Sequence, residues 1–123
     1  MMNEKVFQKI YDELDKYLLE GWTKLVAYFE YGEGSYSFSF YEKIGNKYIK
    51  CYDLDGVEED SIDKSFKKID KILLKERKND KNCWTNMTMV VSSEGNMHSD
   101  FDYTDLSEGN YKYKNQWKEK YLK

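Results

Sequence analysis

At 123 residues and 14.8 kDa the chain is long enough for one compact domain, 1–123, and too short for two ordinary ones. Its 40% hydrophobic content, with 12 Tyr, 6 Phe and 3 Trp, excludes a disordered chain, because each aromatic ring buries a large area. The net charge of −3 disfavours a protein built to coat nucleic acid, and the sequence holds no apolar run near the ~18 residues that a membrane helix needs.

In chain order, Val6, Phe7, Ile10, Tyr11, Leu14, Tyr17 and Leu18 recur at helical spacing, which predicts a first helix closed by Gly21 as a left-handed cap. Trp22 to Tyr31 is rich in aromatic and aliphatic residues. Gly32-Glu33-Gly34 then punctuates it, and the strictly alternating "SYSFSF" places Tyr36, Phe38 and Phe40 on one face, so a hairpin is expected. Lys43 to Asn46 supplies a turn and Tyr48 to Tyr52 a third strand. After the acidic loop "DLDGVEED", Asp60 or Ser61 can cap a second helix, with Ile62, Phe66, Ile69, Ile72 and Leu73 as its apolar stripe and a polar end near Asn79.

The stretch from Trp84 to Leu106 reads as a second hairpin. If Met87, Met89 and Val91 share a buried face with Phe101 and Tyr103, then Met89 opposes Phe101 across a three-residue loop, Glu94-Gly95-Asn96, in which Gly95 or Asn96 takes a positive φ. The other face carries Asn86, Thr88, Val90, His98, Asp100 and Asp102. Tyr111 to Leu122 suits a terminal helix with Tyr113, Trp117 and Tyr121 on one side. The order α-β-β-β-α-β-β-α contains no regular βαβ alternation, so the fold class is α+β: a single domain with a mainly antiparallel sheet of about five strands and three helices.

The charges are segregated along the chain. Residues 53–63 hold six acids and no base, 64–81 eight bases against three acids, 82–110 five acids and neither Lys nor Arg, and 111–123 five Lys against one Glu. Such segregation can present an acidic and a basic face to a charged macromolecule, although charge runs also serve simply as solvated surface.

No motif for catalysis or metal binding is present. His98 is the one imidazole, and no family-specific context pairs it with a nucleophile. Cys51 and Cys83 fit no CxxC spacing, so both are expected to be ordinary reduced thiols in strands. A zinc site would need both of them to converge with His98 and a fourth ligand, and no short-range ligand pair supports one. In "DLDGVEED", Gly56 falls at the fourth position from Asp53, whereas a calcium loop of the EF-hand type needs its Gly at the sixth. The chain is therefore expected to be a non-enzyme without cofactor or metal. Its charged N-terminal segment shows no secretory apolar region, so a cytoplasmic location is expected.

Trp84-Thr85, an alternating strand, the Glu94-Gly95 turn and Asp100-Phe101-Asp102-Tyr103 followed by Asp105 resemble the C-terminal hairpin of the YezG-like immunity, or antitoxin, family. The layout of nearly the whole chain is similar as well: an amphipathic first helix, Trp22 leading an aromatic strand, a Gly-containing turn, a Tyr/Phe-rich strand and a second helix. The resemblance implies a bacterial cytoplasmic inhibitor of a secreted nuclease toxin of the LXG type, a substrate of type VII secretion, and a toxin domain as partner. Nuclease clefts are rich in Lys and Arg, so an inhibitor can compete with nucleic acid by presenting carboxylates there. The residues expected to do so are Asp53, Asp55, Glu58 and Glu59 in the first acidic block and Glu94, Asp100, Asp102 and Asp105 in the second, with Trp84 as aromatic anchor. The alternative is a nucleic-acid-binding module that uses the Lys-rich helix 64–81 and the C-terminal tail "YKYKNQWKEKYLK", whose aromatics could stack on bases.

Overall fold

A computed structural model describes residues 3–32, 34–78 and 83–123. The elements follow the expected order: helix α1 (Glu4–Asp15), strands β1 (Trp22–Gly32), β2 (Ser35–Ile44) and β3 (Lys47–Lys50), helix α2 (Glu59–Arg77), strands β4 (Asn86–Ser92) and β5 (Met97–Asp102), and helix α3 (Tyr111–Tyr121). The five strands form one antiparallel sheet in the order β3-β2-β1-β4-β5.

Helices lie on both faces of this sheet, and the central strands record that in their composition. In β1 every residue from Leu25 to Phe29 is buried. Leu25, Ala27 and Phe29 enter the main core with α1 and α2, while Val26 and Tyr28 join Tyr41, Val90 and Trp117 in a smaller cluster under α3. A strand covered on both sides shows a continuous apolar run rather than an alternation.

Helix α1 starts at Asn3, whose side-chain oxygen accepts from the Val6 N–H at 3.1 Å, and buries Val6, Ile10 and Leu14. It ends at Asp15 and not at Gly21. Tertiary contacts take the chain away from helical geometry there: the Tyr17 hydroxyl reaches Ser61 and Ser65 of α2, and the Leu19 N–H donates to Glu42 Oε1 at 2.9 Å. Gly21, at φ +88°, instead turns the chain into β1. Cys51 is buried at the start of a single 3-10 turn over Cys51–Asp53, not in a strand, and Cys83 lies exposed just before β4. The N-cap of helix α2 is neither Asp60 nor Ser61 but Glu58, two and three residues earlier, and it makes no side-chain cap bond. Its expected end near Asn79 lies outside the described residues, as does Glu33 of the first hairpin turn.

The second hairpin keeps the expected parity with its register moved by two. Phe101 opposes Met87, and Met89 opposes Ser99. The loop is Ser93-Glu94-Gly95, because Ser92 closes it: its N–H donates to the Asn96 carbonyl at 2.8 Å, its own carbonyl accepts from Gly95, and its hydroxyl accepts from the Asn96 N–H at 3.2 Å. Gly95 supplies the positive φ, +95°. Tyr103 therefore falls past the end of β5 and is 57% exposed rather than buried opposite Met87.

Candidate functional site

The polar face of the second hairpin, which the sequence leaves open to solvent, is in large part the seat of α3. Asn86 and Thr88 are almost wholly buried beneath that helix. A buried amide or hydroxyl is costly unless it is bonded, and α3 supplies the partners. The Tyr113 hydroxyl donates to Asn86 Oδ1 at 2.9 Å and Trp117 Nε1 to Thr88 Oγ1 at 2.8 Å, while the Tyr121 hydroxyl donates to Asp100 Oδ2 at 2.5 Å. At the helix start, Asn110 Nδ2 donates to both oxygens of Glu30, which also accepts from the Tyr28 hydroxyl at 2.5 Å. Lys114 lies with its Nζ 3.8 Å from the centroid of the Tyr28 ring, and burial pulls its ammonium down to about 8, with Glu30 opposing.

The acidic residues around this face divide by environment. Asp100 is exposed, holds Tyr121 and stands 3.9 Å from His98 Nε2. Asp102 is half-buried and accepts from the Thr104 N–H at 2.8 Å; burial works against its ionisation, but bonds from Thr104 and Tyr113 hold it below the usual carboxylate range. Asp105 is exposed and accepts from the Ser107 N–H at 2.9 Å, and that bond, with the Ser107 hydroxyl, likewise keeps it low. Glu94 projects from the hairpin turn. These four groups lie along one edge of the sheet.

The other expected carboxylates are elsewhere. Asp53, Asp55, Glu58 and Glu59 follow β3, at the opposite edge, and Glu58 and Glu59 sit at the N-terminus of α2, where the helix dipole favours negative charge. With strands about 4.8 Å apart, the two edges are separated by roughly 19 Å. The acidic blocks thus form two patches and not one. Trp84 belongs to neither surface: at 2% exposure it packs against Tyr31 and Phe101 in the main core, with the Arg77 guanidinium stacked on its ring and bonded to its carbonyl. The exposed ring beside the second patch is instead Tyr103, 57% exposed, whereas Tyr111, 83% exposed, opens α3 next to Asn110, which bonds Glu30 of β1. Strand periodicity missed Tyr103 because a register shift of two moved it beyond the sheet. Tyr111 was legible as the first residue of a helix whose inner face is already filled by Tyr113, Trp117 and Tyr121.

Among the described residues no group of three or more His, Cys, Asp or Glu side chains is set to hold a metal ion, and no helix is long and apolar enough to cross a membrane. The class is thus a small α+β domain, helices on both faces of an antiparallel sheet, whose distinguishing surface is charged. The chain matches the family model described as "Immunity protein YezG-like" over residues 3–123, nearly its whole length, and belongs to that family. Membership gives it an immunity, or antitoxin, role with a cognate toxin as partner; such proteins are generally not enzymes. No curated protein sequence matches it.

Proposed function

We propose that the chain acts in the cytoplasm to neutralise a secreted nuclease toxin by setting the acidic edge of its second hairpin into the basic substrate cleft of that toxin. The observation that carries this reading is the excess of carboxylates along that edge: Glu94, Asp100 and Asp105 are exposed and Asp102 half-buried, residues 82–110 contain five acids and no Lys or Arg, and Lys120 of α3 is the one base lining the groove at Asp100 and Asp102. A surface of that kind resembles a phosphate backbone in charge density and steers a basic cleft toward it. Tyr103 stands beside the carboxylates as anchor, a part that buried Trp84 plays only from inside, by supporting the hairpin. The patch at Asp53, Asp55, Glu58 and Glu59 lies across the sheet from it, beyond β3, so the two can be tested separately.

The nucleic-acid reading loses support from the placement of its parts. The lysines of α2 and those of α3 lie on opposite faces of the sheet, and Trp117, the ring best suited to stacking on bases, is 3% exposed.

Charge reversal separates the possibilities. Asp100→Lys with Asp102→Lys should weaken inhibition of the cognate toxin by about 2–5 kcal/mol, as for interfacial charge pairs elsewhere, while Asp53→Lys with Asp55→Lys should leave it nearly unchanged. Melting temperatures measured alongside distinguish lost affinity from lost fold. Sensitivity at residues 53–59 with a silent hairpin would move the interface to the other edge; silence at both would refute charge complementarity.

A further inference from the structure

We propose that β5 is the docking edge itself: an extended segment of the toxin, with Lys or Arg alternating with apolar residues, adds to the sheet as a sixth strand. The inference rests on the immunity reading and specifies the mode of binding. Strand β5 ends the sheet on its side. The Ser92 N–H donates to the Asn96 carbonyl, and Ser92 opposes Asn96 in the β4–β5 register, so alternation directs the backbone groups of His98 and Asp100 to β4 and those of Met97, Ser99 and Phe101 outward. No backbone bond joins those three to any segment beyond β4 among the described residues.

Open edges invite pairing, and proteins that avoid it blunt them with short strands, Lys, Pro or bulges. The opposite edge is blunted in this way: β3 has four residues and both begins and ends with lysine. The β5 edge is six residues long, with a continuous register to β4 and neither Lys nor Pro; its charged side chains, Asp100 and Asp102, discourage pairing with an acidic strand but not with a basic one.

The two faces of β5 define what the incoming strand should carry. On the α1 side, Met97, 41% exposed, borders a groove of about 510 Å³ lined also by Phe7, Tyr11 and Trp22. On the α3 side, Asp100 and Asp102 open into a groove of about 600 Å³, beside Tyr113 and Tyr121, with Lys120 its one base. Successive side chains of a strand point to opposite faces, so a partner with apolar residues toward the first groove and basic ones toward the second satisfies both, while main-chain bonds supply affinity. A second copy of this chain fits less well. Antiparallel pairing of β5 with β5 sets Asp100 against Asp100 or Asp102 of the other copy in two registers, which is repulsive, and against His98 in the register centred on Ser99; in none of them does it supply the Lys or Arg that the acidic face calls for. Pairing of β5 with β3 leaves a free edge at each end and does not close.

The test uses the complete chain with its cognate toxin domain. Ser99→Pro removes one outward N–H and no bond to β4, a position where a strand tolerates proline; Ser99→Thr keeps the donor. Ser99→Pro should retain the fold and bind the toxin about 10- to 100-fold more weakly, the range for a lost interfacial backbone bond, and Ser99→Thr should bind as the parent does. Hydrogen exchange on the unsubstituted complex should show new protection at Met97, Ser99 and Phe101, a readout that stands even if the proline variant does not fold. Unchanged affinity of a folded Ser99→Pro, or toxin-induced protection confined to other surfaces, overturns the edge inference and leaves the immunity reading intact. Absence of any complex with the unsubstituted chain overturns both. Self-association abolished by Ser99→Pro, with toxin binding unchanged, assigns the edge to a second copy instead.

Discussion

Glu42 is the side chain whose position costs the fold most plainly. It lies wholly buried on β2, its Oε1 accepts from the Leu19 N–H, and its Oε2 has no partner among the described residues. Burial raises its pKa above 4.5, with the Leu19 bond opposing. A carboxyl group that holds its proton more tightly when folded contributes stability that is fully present below the unfolded value and is lost as pH rises through the folded one. Asp102 and Asp105, both held low, act in the opposite sense, but in a window below their ordinary value of 3.8. Glu42→Gln should therefore remove a fall in stability that begins near pH 4.5, while the contribution of the two aspartates remains. Urea midpoints of the parent and the variant from acid to neutral pH check this. A difference between the two that stays constant with pH would show that Glu42 does not titrate in that interval.

At the scale of elements, α3 is held to the sheet by graded contacts. Trp117 is buried against Tyr28 and Tyr41 and bonded to Thr88, whereas Tyr121, near the C-terminal end, bonds Asp100 at an exposed site. Trp117→Ala removes a buried ring and leaves a cavity, so it should cost about 3–5 kcal/mol. Tyr121→Phe removes one exposed hydrogen bond and should cost no more than about 1 kcal/mol. Equilibrium unfolding of the two variants tests the ranking; equal losses would mean that the helix docks as a single unit with no weaker end. The same contacts limit the role of Asp100, which is at once part of the acidic edge and the acceptor that holds Tyr121. Asp100→Asn keeps an acceptor there while removing the charge, and so isolates its electrostatic contribution to toxin binding.

Across the whole molecule, opposite charges occupy different places. The second acidic block lines the β5 edge, the first follows β3 at the far edge, and lysines 64, 67, 68 and 71 lie exposed along α2. Basic stripes attract nucleic acid only where the surrounding field permits, and here an acidic patch flanks the sheet on each side. The purified protein should show no saturable binding to duplex DNA or RNA at about 0.15 M salt. Micromolar binding with a steep salt dependence, measured by fluorescence anisotropy, would restore the nucleic-acid reading.

The periodicities of Val6 to Leu14, Ile62 to Leu73 and Tyr113 to Tyr121, together with the alternation in "SYSFSF" and Met87 to Val91, were enough to set the order of elements and the fold class, because each pattern reflects one local geometry and one buried face. The family was legible from Trp84 to Asp105, where aromatic, glycine and aspartate spacings combine. Three things waited for the tertiary structure. Helix α1 stops at Asp15 because Tyr17 and Leu19 find partners on α2 and β2, which no local signal encodes. The β4–β5 register slipped by two because a shift of two keeps every side chain on its face, so hydrophobic pattern alone cannot choose between the two pairings. The distance between the acidic blocks depended on strand order: only the placement of β3 and β5 at opposite edges separates residues 53–59 from 94–105, since charge along a chain carries no record of which strands become neighbours.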